Sequence, residues 1–132
     1  MSNHLKYLLL PLMLLLPFFR LHAKVAVVRA SDSLAASERS YAASLARHIA
    51  RWYDASGVDV QLAPDSEMAS ALNGSRVAVL VCMMCPSQHQ LSLLRSFVRG
   101  GGKLIVFYSS SPALASLMEV RPLRYMKCDS GT

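Results

Sequence analysis

Hydrophobic positions along the chain fall into alternating blocks of two kinds. KVAVVRA (Lys24–Ala30) and RVAVLVCM (Arg76–Met83) are nearly continuous apolar runs rich in β-branched residues, the composition of parallel strands buried on both faces. VDVQLAP instead alternates Val58, Val60 and Leu62 with Asp59 and Gln61, which predicts a strand nearer a sheet edge, stopped by Pro64. KLIVFY (Lys103–Tyr108) supplies a fourth strand, and Ser109, Ser110 and Ser111 follow it.

Between these runs the apolar spacing changes to three or four residues. Tyr41, Leu45, Ile49 and Trp52 predict a helix over about 39–55, with Arg47, Arg51 and Asp54 facing water and Ser33 or Ser37 available as cap. Trp52 and Tyr53 are expected to anchor that helix on the sheet; the alternative is a stacking platform for a sugar or a base. Gly57 ends it. Met68, Ala71 and Leu72 mark a short helix that Asp65 or Ser66 can cap and Asn73–Gly74 closes. Pro86 ends the third strand, and Ser87 with Gln90 has the spacing of a capping box at the head of a helix whose apolar face is Leu91, Leu94 and Val98, with Phe97 beside it. Gly100–Gly102 turn that helix into the fourth strand. Ser111 followed by Pro112 is the cap and first position of a last short helix, Ala113–Met118. A further strand is expected from Val120, limited by Pro122.

Strand and helix thus alternate four times and then break off. The pattern predicts an α/β fold: an open three-layer sandwich with a mainly parallel sheet of four or five strands, flavodoxin-like or amidotransferase-like, and truncated at its C-terminus. Ligands in such folds sit at the carboxyl ends of the strands, which makes Asp32, Ser109 and Ser110 the candidate ligand-facing residues.

The N-terminus alters the domain boundaries. Residues 1–23 join a weakly basic start (His4, Lys6) to an apolar run from Tyr7 to Phe19 and a small residue, Ala23, which reads as a secretory signal. The run is short for a membrane crossing; the alternative is a membrane tether through residues 7–19. The domain is therefore 24–132, expected to be exported to the periplasm or beyond. The formal charge of +6 falls to +4 once Lys6 and Arg20 are removed. The remaining basic residues are scattered rather than gathered in a stripe, so no nucleic-acid partner is expected.

Candidate chemistry centres on Cys82, Cys85 and Cys128, an odd set of three in an 132-residue chain. Cys82-Met-Met-Cys85 before a helix start has the spacing of a thiol–disulfide exchanger, with the helix N-terminus favouring the Cys85 thiolate. A Cys82–Cys85 or Cys85–Cys128 bridge and three unpaired small hydrophobes are the alternatives. A zinc site from Cys82, Cys85 and His89 lacks a second ligand pair. Serine hydrolysis at Ser109–Ser111 would need His48 and Asp32, which nothing in the sequence holds together. The acidic residues form no pair that the sequence can establish for glycoside hydrolysis. Gly100–Gly102 come between a helix and a strand, the reverse of a phosphate cradle. No catalytic residue, metal or cofactor is assigned.

The segments KVAVVRA, RSYAASLARHIARWYDASGVDV (Arg39–Val60), RVAVLV (Arg76–Val81) and above all PSQHQLSLLRSFVRGGGKLIVFYSSSPALASLM (Pro86–Met118) carry a resemblance. They resemble the class I glutamine amidotransferase-like fold in the form found as the N-terminal module of bacterial secreted proteins related to family 10-like glycosyl hydrolases. Catalytic members of the wider class place a nucleophilic cysteine in a glycine-flanked elbow after a strand, with a histidine and a glutamate farther along. This chain has no G-x-C-x-G, and no histidine follows His89. The resemblance thus implies a scaffold without glutamine hydrolysis, with any glycosidase chemistry in a downstream domain, and a carbohydrate as the ligand a binding module of this type would take.

Overall fold

The computed structural model describes residues 24–121, in the order β1 (Lys24–Arg29), α1 (Ala36–Ala55), β2 (Val60–Pro64), a 3₁₀ turn (Asp65–Glu67), α2 (Met68–Leu72), β3 (Ser75–Val81), α3 (Gln88–Arg99), β4 (Lys103–Phe107) and α4 (Pro112–Leu117). The four strands form one sheet in the order β2-β1-β3-β4, every neighbouring pair parallel. This is the α/β layered fold that the alternating blocks predict, with the flavodoxin-like strand order. The further strand expected from Val120 would run into residues outside those described, as does the apolar N-terminal segment. Among the described residues no helix is long and apolar enough to cross a membrane.

Two apolar clusters lie on opposite faces of the sheet, because successive side chains of a strand point to opposite sides. On one face Ala26, Val28, Ala78 and Leu80 meet Met68, Ala71 and Leu72 of α2, Leu91 and Leu94 of α3, and Leu114 of α4. On the other, Val25, Val27, Val79 and Val81 meet Ala42, Ala46 and Ile49 of α1. The chain steps from β1 to β2 in one direction with its helix on the second face. It then returns past β1 to β3 and β4 with its helices on the first. Opposite directions paired with opposite faces are what a constant crossover hand requires.

Continuous apolar runs did mark the buried strands: Val25–Val28 and Ala78–Val81 are buried throughout. β2 is an edge strand, as its alternation predicts, and it ends at Pro64. Pro64 is paired with Arg29, at the end of a strand whose other side pairs with no strand among the described residues.

Helix ends are set by side chains that the sequence displays. At α3 the Ser87 hydroxyl accepts from the Gln90 amide at 3.1 Å and the Gln90 side chain accepts from the Ser87 amide at 2.8 Å, the complete capping box. At α4 Ser111 accepts from the Leu114 amide at 3.3 Å, with Pro112 in first position. α1 differs from expectation. It starts at Ala36, three residues before Arg39, on an Ala35 that has no side-chain acceptor; Glu38 reaches back to the Ala35 amide at 3.2 Å. Neither Ser33 nor Ser37 caps it. Asp65 does not cap a helix through its side chain either. Its carboxylate is buried and accepts from the Ser31 hydroxyl at 2.6 Å, tying the end of β2 to the loop after β1.

Gly100–Gly102 form the joint between α3 and β4. Gly101 has φ of 92°, and a Cβ on Gly102 would run into the Phe97 ring. The glycines therefore serve backbone angle at one position and close packing at another.

Candidate functional site

The strand order reverses at β1 and β3, so the crevice at their carboxyl ends is where this architecture places ligands. The loop after β1 brings Ser31 and Asp32 there, the turn after β3 brings Cys82–Cys85, and the turn after β4 brings Tyr108–Ser110.

Two non-glycine residues at neighbouring strand ends adopt left-handed angles, Cys82 at φ 58° and Tyr108 at φ 53°. The Cys82 amide donates to the Phe107 carbonyl at 2.9 Å, so strand pairing holds up to that point and the chain leaves the sheet directly afterwards. This corrects the expected extent of the third strand. It ends at Val81, and Cys82 and Met83 form the turn. Such angles on non-glycine residues cost roughly 1–3 kcal/mol each and persist only where the surroundings impose them.

The predicted residues fare unevenly. Ser109 donates to the Met83 carbonyl at 2.7 Å and accepts from the Ser111 amide at 3.1 Å, so its hydroxyl is committed to joining the turns after β3 and β4. Ser110 is exposed, with only a long contact of 3.9 Å to the Met84 sulfur. Asp32 is exposed beside Ser31, whose hydroxyl lies 3.3 Å from it but closer to Asp65. Ser110 and Asp32 thus have free hydrogen-bonding capacity at the crevice rim, and Ser109 keeps one acceptor lone pair. His48 points Nδ1 at the Ser44 carbonyl on exposed α1, and His89 is exposed in the first turn of α3.

Cys82 and Cys85 are both free thiols, not bridged to each other; Cys128 lies outside the described residues. Their environments are opposed. Cys85 is exposed ahead of α3, whereas Cys82 is buried in the α1-side cluster. Burial pushes the Cys82 thiol above its ordinary range, and the charge of Glu38 adds to that. A thiol exchanger needs the reverse, an accessible thiolate stabilised at low pKa. Among the described residues, no three His, Cys, Asp or Glu side chains gather where they could hold a metal ion.

A second feature lies along α1. Trp52, expected to anchor α1, is 63% exposed. The anchor is the row Ala42, Ala46 and Ile49, fully or nearly buried, with Tyr53 packed beside it. Tyr41 and Trp52 lie on the flank of that row. Tyr41, half exposed, meets Tyr108 edge to face with centroids 5.7 Å apart and planes at 89°. Farther along the same flank, Trp52, Tyr53, Ile49 and Ser56 wall a hollow of about 210 Å³ whose other side is Ile105 and Phe107 of β4. Ile105 and Phe107 are exposed there because α1 covers β1 and β2 more than it covers β4. The signal was present in the sequence: Ala42, Ala46 and Ile49 recur at helical spacing, and the two alanines allow the helix a close approach to the sheet.

Together these elements define an α/β fold with a four-stranded parallel sheet flanked by helices. No protein-family profile and no curated protein sequence matches the chain. Among solved structures it is similar to a β-galactosidase from Bifidobacterium adolescentis, with a TM-score of 0.54 and 17% identity over 76% of this chain. The match spans 56% of the β-galactosidase chain. At that identity the likeness is one of fold.

Proposed function

We propose that the chain is a non-catalytic α/β module of a larger, exported carbohydrate-processing protein, in which a glycosidase-like domain carries the chemistry. The observation that carries this reading is the match in fold to part of a β-galactosidase chain. The resemblance to amidotransferase-like modules of glycosyl hydrolase proteins supports it. The left-handed position after β4, where an elbow would present a nucleophile, holds Tyr108, and Cys82, directly after β3, is buried with its thiol pushed above the ordinary range. The full chain, incubated with glutamine and with a panel of aryl glycosides, is expected to give no turnover above buffer. Turnover of either that disappears on substituting Cys82, Cys85 or Tyr108 would overturn the reading. Export is tested separately by N-terminal sequencing of the protein from the expressing cell. A mature chain starting near Lys24 supports a cleaved signal, and an intact N-terminus in the membrane fraction supports the tether through residues 7–19.

A second reading, that the module itself binds carbohydrate, is favoured by the exposed aromatic flank of α1. Tyr41, Trp52, Phe107 and Tyr108 offer ring faces to which the apolar face of a sugar can stack, and the hollow beside Trp52 has no formally charged residue in its lining. Trp52 is the only tryptophan in the chain, so its emission reports directly on this surface. Titration with neutral oligosaccharides is expected to shift that emission saturably, and Phe107→Ala is expected to weaken the response at least tenfold. An unchanged Trp52 spectrum across the panel, from a folded sample, would reject this reading and leave the first untouched.

A further inference from the structure

We draw no further inference here: the strongest candidate, the outer edge of β4, which pairs with no strand among the described residues and adjoins the exposed apolar face of Ile105 and Phe107, carries none because nothing in the structure shows what covers it.

Discussion

The two faces of the sheet are built from the same kinds of residue and end in different states. One face has α2, α3 and α4 laid across it, and its apolar side chains, from Ala63 at one edge strand to Leu104 and Val106 at the other, belong to a single cluster. Among the described residues the opposite face has α1 alone, and its cluster reaches Val77, Val79 and Val81 of β3 but not Ile105 or Phe107 of β4. A helix is about 10 Å across and strands lie about 4.8 Å apart, so one helix covers roughly two strands of four. Parallel sheets are normally covered on both faces. The difference therefore separates residues buried in the two clusters from residues that the described elements leave exposed, and Trp52 and Phe107 belong to the second group.

The sharpest way to break this comparison is to truncate one residue on each face. Leu94, fully buried on the sheet-facing side of α3, is expected to cost about 2–5 kcal/mol as Leu94→Ala. Ile105→Ala on the open face should cost less than about 1 kcal/mol. Equal losses in urea denaturation would mean that the β4 face is covered in solution. Next in size is Gly102→Ala, which drives a methyl group into Phe97 on the well-covered face and is expected to cost about 1–3 kcal/mol, most of it recovered when Phe97 is shortened to Leu in the same chain. A third test sets the two long helices against each other. Ser87→Ala removes half of the α3 capping box and should cost about 1 kcal/mol, whereas Ala35→Ser supplies α1 with the acceptor it lacks and should add about 0.5 kcal/mol, both read from thermal unfolding.

The smallest effect concerns the thiol beneath α1. The folded state holds the Cys82 proton more tightly than the unfolded chain does, so its contribution to stability is complete below the ordinary thiol range and is lost as pH rises through the raised folded value. Wild type should therefore lose slightly more stability than Cys82→Ala between neutral and alkaline pH. In the same protein at neutral pH an alkylating reagent is expected to modify Cys85 and to reach Cys82 only after unfolding; equal labelling of both would show that α1 does not shield that face.

Much of the fold was legible because its signals are local. The Ser87–Gln90 box, the Ser111–Pro112 start and the continuous apolar runs of β1 and β3 each depend on residues a few positions apart, and the structure places them as their chemistry predicts. The site was less legible for reasons that are not local. Helical spacing identifies the apolar side of α1, yet which part of that side meets the sheet depends on how many helices share the face, and this displaced Trp52 from core to surface. The left-handed turns at Cys82 and Tyr108 carry no glycine to announce them. Ser109 was expected at a ligand edge, whereas its hydroxyl joins two turns that lie 26 residues apart in the chain.

The position of β1 has a consequence for how the chain acquires its shape. The first strand to be synthesised in the described region is an interior one, pairing with β2 through Val25–Arg29 and with β3 as far as Val81. Until Val81 has been made, one of its two edges has no native partner, and the pairing that seals it closes a loop of about fifty residues at a cost that grows with loop length. A nascent chain stopped before β3 is therefore expected to leave the β3-facing edge of β1 open to any other strand that meets it.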